Sequence, residues 1–242
     1  MSSRFKNILI IGIRKIKKCI SRTPTGSRFA ARVQKTIFQC LFKSPEALFT
    51  YYYHTNKWGN NESLSGPGSS LTATSSVRKQ IHEILVDYKV KKLLDAPCGD
   101  FNWFKLVAIP FDIEYIGGDI VKKMVDLNNK QFGKGNIKFM HLDIINNEIP
   151  IADLWLCRDA IFHFSNADGL KTITNLRKSK IKYFLSTTFP DLGINQDIST
   201  GDYRPINLEI APFNLPPPLK YIEDSDAGHY GKKLGLWIMN NI

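Results

Sequence analysis

The sequence has no acidic residue among its first 45 positions, and this absence accounts for its overall charge. The formal net charge is +11, and the segment from Arg4 to Lys43 carries eleven Lys and Arg residues against no Asp or Glu. Since the whole chain has 33 basic and 22 acidic residues, the part from Glu46 onward has 22 of each sign. The positive charge therefore belongs to an N-terminal arm, and the body is formally neutral.

Long apolar runs are also lacking. The apolar run of the arm, residues 8–13, is far shorter than the ~20 residues that a membrane-spanning helix needs. Apolar residues instead recur at helical spacing beside clustered lysines, which predicts amphipathic helices in this arm. An anionic membrane surface is one candidate partner, reached through residues 1–43. The alternatives are packing on the body and an organellar transit peptide.

Cysteine is scarce. Four cysteines occur, none of them in a C-x-x-C spacing or beside clustered histidines, so the sequence indicates neither a zinc site nor a disulfide framework. No other residue pattern calls for a metal. We expect a cytoplasmic protein, with the arm as the element that would hold it at the inner face of the cytoplasmic membrane.

From residue 91 onward, short apolar runs alternate with helical patterns. Seven runs are typical of strands, at residues 92–96, 115–118, 137–141, 154–157, 183–187, 220–223 and 234–239. Helices are predicted between them at residues 101–108, 121–132 and 167–178. This order predicts an α/β fold with a doubly wound, mostly parallel seven-stranded sheet, whose ligand crevice lies between the first and fourth strands.

The same pattern divides the chain into three predicted parts. Residues 1–45 form a basic helical arm, residues 46–90 a lid loop and a leading helix, and residues 91–242 the main domain. A Pro-rich insertion at about residues 190–218 is too apolar for a solvated tail, so we expect it to be ordered and to roof the site. For the lid loop around Trp58, a plain linker is the alternative.

Acidic residues stand at the ends of four predicted strands, at Asp95, Asp119, Asp143 and Asp159. Because ligands of such sheets bind at the carboxyl ends of the strands, these side chains are expected to meet at the crevice. A carboxylate ending the second strand can accept both hydroxyl hydrogens of a ribose, which indicates a nucleoside. The first turn, DAPCGD, has one glycine and two acids, which repel a pyrophosphate and suit a cationic ligand such as S-adenosylmethionine.

These residues make the segment from Leu93 onward resemble the class I S-adenosylmethionine-dependent methyltransferases. The resemblance implies a Rossmann-like domain with S-adenosyl-L-methionine as cofactor, Asp119 on the ribose, and Leu142 and Asp143 beside the adenine. The family often has a glycine where Pro97 and Cys98 stand here. The residues that the resemblance assigns to the cofactor are Asp95, Ala96, Pro97, Cys98, Gly99, Asp119, Ile120, Leu142, Asp143, Cys157 and Arg158.

Further motifs narrow the resemblance to a subgroup. NKWGNNESLSGPGSS, LLDAPCGDFNW, YIGGDIV, CRDAIFHFS and YRPINLEIAPFNLPPP occur in this order. Together they resemble bacterial enzymes encoded among surface-polysaccharide genes, including those for capsular O-methyl phosphoramidate. The likeness covers about residues 48–242 and leaves out the arm. It implies O-methylation of a sugar or of a phosphorylated or phosphoramidate glycan unit.

The catalytic candidates are His163 and Asp159. His163 follows Asp159 by four residues, a spacing that puts both on one face of a helical turn, so we predict a general base assisted by a carboxylate. A structural histidine is the alternative. The candidates for the acceptor side are Trp58, Ser65, Trp103, Arg204 and Asn207, with Arg204 and Asn207 as donors to a polar or anionic acceptor.

Several candidates also have a purely structural interpretation. Asp100 and Asn102 would cap a helix that begins in the next residues, and Trp103 would pack that helix on the sheet. Cys98 and Cys157 would be small apolar residues of the core.

The sequence thus predicts an O-methyltransferase with a small-molecule or glycan acceptor. One alternative is an RNA methyltransferase that uses the basic arm on a polyanion, and another is a membrane-associated protein that binds S-adenosylmethionine without turning it over. The neutral body disfavours the RNA alternative, as does the sequence CRDA where amine methylation would require an N-P-P-Y type motif.

Overall fold

The computed structural model describes Phe42, residues 44–224 and residues 230–239. Except for its last few residues, the predicted arm lies outside these ranges, so its amphipathic helices stay a prediction. The chain divides into two compact units, residues 1–48 and residues 49–242. The second unit contains the sheet and the candidate site.

The second unit is built on seven strands. They are β1 (Lys92–Asp95), β2 (Glu114–Asp119), β3 (Ile137–His141), β4 (Leu154–Cys157), β5 (Tyr183–Thr188), β6 (Lys220–Glu223) and β7 (Lys233–Ile238). They form one sheet in the order β3-β2-β1-β4-β5-β7-β6. The first five strands pair in parallel, whereas β7 pairs antiparallel with β5 and with β6. The predicted α/β fold and mostly parallel sheet are confirmed.

The strand order places the reversal point at β1. This strand pairs with β2 on one side and with β4 on the other, so the chain leaves it in one direction and returns on the opposite side. In doubly wound sheets a crevice opens at that point, beyond the carboxyl ends of the strands. The location predicted from the sequence is thus the one that the sheet provides.

Four helices accompany the strands. They are α1 (Pro45–His54), α2 (Ser75–Asp87), α3 (Lys122–Phe132) and α4 (Asn166–Lys178). Helix α4 begins at a side-chain cap, since the Oγ of Ser165 accepts the backbone N–H of Asp168 at 3.2 Å. Helix α2 buries its apolar residues at helical spacing, namely Val77, Ile81, Ile84 and Leu85.

The helix predicted at residues 101–108 does not form. Only a single 3₁₀ turn, Phe104–Leu106, occurs there. Phe101 has a φ of +58°, a left-handed conformation that a right-handed helix excludes, and its buried ring packs against aromatic rings of the sheet. The predicted capping roles of Asp100 and Asn102 are therefore wrong, because there is no helix for them to cap.

The core lies on both faces of the sheet. Leu94 belongs to one buried cluster with Trp155, whereas its neighbour Leu93 belongs to a second one with Tyr115. This alternation follows from the two-residue period of a strand, and it matches a parallel sheet covered on both sides.

The Pro-rich segment after β5, residues 190–218, is ordered and anchored in the core. It buries Ile206, Leu208 and Phe213 against the cluster that contains Leu94. Within residues 44–224 and 230–239, none of the helices combines the length and the apolar character that crossing a bilayer requires.

Candidate active site

A cavity opens beyond the carboxyl ends of β1, β2, β3 and β4. Its walls come from residues that follow these strands and from residues 49–69. The sequence-predicted residues that line it are Trp58, Ser65, Asp95, Pro97, Cys98, Gly99, Trp103, Asp119, Ile120, Leu142, Asp143, Arg158, Asp159 and His163. Residues predicted from separate motifs thus meet in one place, while their individual roles stay predictions.

The turn after β1 brings two buried acids together. Asp95 is 2% exposed, and the hydroxyl of Tyr115 donates to its Oδ2 at 2.7 Å. Asp119 is 4% exposed, and the N–H of Gly99 donates to its Oδ2 at 3.1 Å. Gly99 has a φ of +59°, and a Cβ there would lie 2.2 Å from the Oγ of Ser65. Only glycine therefore fits this approach of the backbone.

Burial raises the pKa of both carboxyls. The pKa of Asp95 is raised to about 7, because burial outweighs the hydrogen bond from Tyr115 and the charge of Arg158. The pKa of Asp119 is raised to about 6, because burial outweighs two backbone N–H donors. A cation beside these groups favours their charged forms and lowers both pKa values. This part of the cavity is therefore suited to a positively charged ligand.

An apolar wall lies near these acids. Met124, Leu142, Ile144 and Ile145 line it, and all four are buried. Asp143 turns its carboxylate toward its own loop, where Oδ1 accepts the N–H of Ile145 at 2.9 Å. A flat apolar surface with polar groups at its edge matches the faces and rim of a purine.

We call residues 58–71 the lid segment. This segment is held to the turn after β1 by the side chain of Asp100. Its carboxylate accepts hydrogen bonds from the Ser63 hydroxyl at 2.9 Å and the Leu64 N–H at 2.8 Å. It also accepts the Ser65 hydroxyl at 3.2 Å, while the N–H of Asp100 donates to the same Oγ at 2.9 Å. Asp100 thus anchors the lid segment over the cavity.

Four charged side chains form a cluster beyond β4, which we call the charge cluster: Arg158, Asp159, Asp224 and Lys232. Arg158 donates from Nε and Nη2 to the two oxygens of Asp224, at 2.9 Å each, and from Nη1 to the carbonyl of Gly68 in the lid segment at 2.9 Å. Lys232 Nζ lies 3.3 Å from Asp159 and 3.4 Å from Asp224. Two positive and two negative groups therefore balance.

This balance of positive and negative side chains determines the ionisation state of Asp159. Burial alone would raise the pKa of this carboxyl, but the charges of Arg158 and Lys232 outweigh burial and lower the pKa below its usual value. Asp159 is therefore a carboxylate at neutral pH, and it borders the cavity.

The α-helical turn that was expected to put His163 and Asp159 on one face does not form. His163 lies in a 3₁₀ turn, Ile161–His163, so the face-sharing of an α-helix at i,i+4 does not apply. Its Nδ1 lies 2.8 Å from the carbonyl oxygen of Asp202, so Nδ1–H is the donor and a neutral ring carries its lone pair on Nε2. Asp159 instead contacts Lys232 and the other members of the charge cluster.

Two residues assigned to the cofactor have side chains in the core. Ala96 and Cys157 are fully buried in or next to their strands and do not line the cavity. The carbonyl of Ala96 accepts the indole N–H of Trp155 at 2.8 Å. Strand alternation turns these two side chains into the core, and their assignment to the cofactor stays a prediction.

Arg204 and Asn207 are also away from the cavity. Arg204 donates to the carbonyl of Phe164 at 2.8 Å, and Asn207 donates to the carbonyl of Pro190 at 3.0 Å. In this structure their described hydrogen bonds go to the chain itself, and their contact with an acceptor stays a prediction. No residue of 190–218, all of which the structure describes, lines the cavity. The segment supports the turn of His163, and its role as a roof stays a prediction.

Sequence reasoning missed three residues of this region. Asp100 was read as a cap, and Asp224 and Lys232 were not singled out at all. A possible signal was the pair of opposite charges where β6 ends and β7 begins, Asp224 and Lys232. Charged side chains are rarely buried unless they are paired, so such a pair beside apolar strands suggests a buried ion pair. Their partner Arg158 is 66 positions from Asp224, so the signal was weak.

No family model matches the sequence, and no curated protein matches it. Among solved structures, the chain is similar to the magnesium protoporphyrin IX methyltransferase ChlM from Synechocystis PCC 6803 with bound S-adenosylmethionine, at 14% identity and a TM-score of 0.55, covering 80% of this chain and 96% of that one. It is also similar to PigF with S-adenosylhomocysteine, at 12% identity and a TM-score of 0.53. That match covers 83% of this chain and 61% of PigF, less than two thirds of its length.

A third similar structure is the cyclase SpnF, at 16% identity and a TM-score of 0.51, with 69% of each chain covered. At such identities the likeness establishes the fold alone. The chain has the Rossmann-like fold found in class I S-adenosylmethionine-dependent methyltransferases. Because a cyclase shares this fold, the reaction has to be argued from the site.

Proposed function

We propose that this protein transfers the methyl group of S-adenosylmethionine to a hydroxyl group of a sugar or phosphorylated glycan unit during surface-polysaccharide synthesis. The observation that supports this most is the pair of buried acids, Asp95 and Asp119, at neighbouring strand ends beside an apolar wall. A nucleoside with a positively charged tail needs these three features, and a pyrophosphate-bearing dinucleotide does not suit two acids.

The residues present fit the cofactor. Asp119 would accept the ribose hydroxyls, Leu142 and the other residues of the apolar wall would cover the adenine, and Asp95 would face the cationic tail. When bound, S-adenosylmethionine supplies a methyl group that is already activated by its sulfonium. What this chain has to add is alignment, for which positioning contributes about 7–11 kcal/mol of barrier reduction in favourable cases.

His163 is the proposed base. It borders the cavity, and the carbonyl of Asp202 holds its Nδ1–H, so the lone pair of the neutral ring is on Nε2. In this position the ring would accept the proton of the acceptor hydroxyl as the new oxygen–carbon bond forms. The lid segment, fastened by Asp100, would keep water out during this step.

We also propose that residues 46–90 act as lid and leading helix for a methyltransferase domain at residues 91–242, in a cytoplasmic protein. The contacts of Asp100 and Asn102 with the lid segment support the first half of this division. We further propose that the arm contacts an anionic membrane surface. Except for its last few residues, the arm lies outside the described part of the chain.

Cofactor binding is expected to release protons. Because the folded pKa values of Asp95 and Asp119 are raised to about 7 and about 6, these groups favour the ligand-free fold at low pH and lose that contribution as the pH rises through these values. A cationic ligand favours their ionised forms, so affinity should rise from about pH 5 to about pH 8. Calorimetry in buffers of different ionisation enthalpy measures the protons released, and in Asp119→Asn the release should shrink.

The proposed activity is tested by incubating the full chain with methyl-labelled S-adenosylmethionine and fractionated glycan precursors. We expect S-adenosylhomocysteine to bind in calorimetry and label to appear on a glycan hydroxyl. Label on RNA would support the RNA methyltransferase instead, and cofactor binding without label on any fraction would support a binding protein that does not catalyse transfer. Tight binding of a nicotinamide dinucleotide with no binding of S-adenosylhomocysteine would contradict the proposal altogether.

A further inference from the structure

The acceptor side of the cavity has an aromatic wall. Tyr53, Trp58, Trp103, His163 and Phe164 line it. The rings of Trp58 and His163 are partly stacked, with centroids 4.6 Å apart and planes inclined by 36°. Trp58 is also held edge-on by Tyr52, at a centroid distance of 5.2 Å, so its ring is fixed on two sides. A fixed aromatic face binds the apolar face of another ring at little entropic cost.

The charged side chains around the cavity are mostly acidic, whereas a site for an anion would be lined by basic ones. Among the described residues, the basic side chains that line it are Arg158 and His163. Four acidic side chains also line it, from Asp95, Asp119, Asp143 and Asp159. In the proposed function Asp95 and Asp119 face the cofactor, and Asp143 bonds within its own loop, which leaves Asp159 for the acceptor side.

The guanidinium of Arg158 is already engaged. It makes two hydrogen bonds of 2.9 Å to Asp224 and an ion pair of 3.1 Å to Asp159. A phosphate on the acceptor would have to compete with these buried carboxylates for Arg158. Separating a buried pair leaves a charge without its partner, which is strongly unfavourable.

From the aromatic wall, the carboxylate of Asp159 and the engagement of Arg158 by buried acids, we infer that the acceptor enters as an uncharged hydroxylated ring and that a ring bearing a phosphate is rejected. This inference rests on the proposed function and selects between its two acceptor types. The ring stacks against Trp58 and presents a hydroxyl to His163. An anionic substituent loses hydration on entry and meets the carboxylate of Asp159, while the guanidinium of Arg158 is held by Asp159 and Asp224.

Paired sugars test this inference. The full chain saturated with S-adenosylhomocysteine is titrated with methyl hexopyranosides of the gluco, galacto and manno series and with their 6-phosphates, and binding is followed by saturation-transfer NMR. We expect at least one neutral sugar to bind about tenfold or more tighter than its 6-phosphate, and the ratio to fall as salt screens the repulsion. A 6-phosphate that binds equally well or better overturns the inference, as does a lack of binding by every neutral sugar up to its solubility limit.

A charge placed in the lid segment provides the matched control. Leu64 lines the cavity and is 37% exposed, so Leu64→Lys and Leu64→Gln should both fold. We expect Leu64→Lys to improve binding of the 6-phosphates by about twofold to fivefold, as an exposed ion pair does, and Leu64→Gln to leave the ratio unchanged. Equal ratios in both variants and the parent protein would show that charge does not set the selection.

The two proposals fail in different ways. Neutral sugars that bind selectively but receive no methyl group would contradict the proposed function and leave the acceptor selectivity standing. Methylation of a phosphorylated sugar in preference to its neutral counterpart would confirm methyl transfer and overturn the inferred selectivity.

Discussion

Replacing His163 by alanine is expected to lower kcat by about 10²–10⁴-fold at saturating acceptor, the range that a positioned general base contributes. The effect follows from geometry, since the carbonyl of Asp202 orients the ring and leaves the lone pair of the neutral form on Nε2. The measurement is initial rates with labelled methyl donor across pH.

A matched variant separates chemistry from packing. His163 contacts Trp58 ring to ring, so alanine removes part of the aromatic wall as well as the base. His163→Phe keeps a ring at this position and removes both nitrogens. We expect it to retain acceptor binding and melting temperature while losing turnover as alanine does. Near-normal turnover in either variant would show that His163 is not the base.

Replacing Arg158 by methionine is expected to lower the free energy of unfolding by about 3–5 kcal/mol, because breaking a buried ion pair leaves two carboxylates, Asp159 and Asp224, to share the charge of Lys232. Asp224, 2% exposed, would lose both hydrogen bonds from the guanidinium, and the lid segment would lose its link through Gly68. Urea unfolding of the ligand-free protein measures this change. A decrease of less than about 1 kcal/mol would mean that the cluster tolerates an imbalance of charge.

A double variant tests whether charge balance is the cause. Arg158→Met with Asp224→Leu removes one charge of each sign and leaves Lys232 beside Asp159, 3.3 Å apart. Because replacing a buried ion pair by apolar residues is often neutral, the double variant should be more stable than Arg158→Met alone. If the two losses simply add, the destabilisation comes from lost packing.

The architecture was predictable because its signals are local. Each strand of the sheet is a short apolar run, and the acids at Asp95 and Asp119 stand directly after such runs. Once parallel strands are inferred, their carboxyl ends must meet at one edge, so the cavity follows without knowledge of any long-range contact. The same reasoning places Cys98 and Gly99 at the cavity, because they belong to the turn after β1.

The predictions that failed depend on contacts between distant parts of the chain. The helix expected after Asp100 is prevented by the left-handed conformation of Phe101, which aromatic packing holds in place. Arg204 was predicted to donate to the acceptor because its side chain is charged, and only the fold shows that Nη1 donates to a backbone carbonyl and Nη2 to the side chain of Asn166. Hydrogen bonds between Asp100 and the lid segment join positions more than thirty residues apart. Helical and strand periodicity describe only local structure, so they cannot predict these contacts.

The charge cluster also has a consequence for the order in which the site is completed as the chain folds. Lys232 and β7 come later in the chain than β1 to β4, and β7 inserts between β5 and β6. During folding, strands β1 to β4 can therefore pair before β7 is in place, and until then Asp159 and Asp224 have only Arg158 to offset their charge. Lys232, directly before β7, supplies the second cation, so the charge cluster is balanced only once β7 has inserted between β5 and β6.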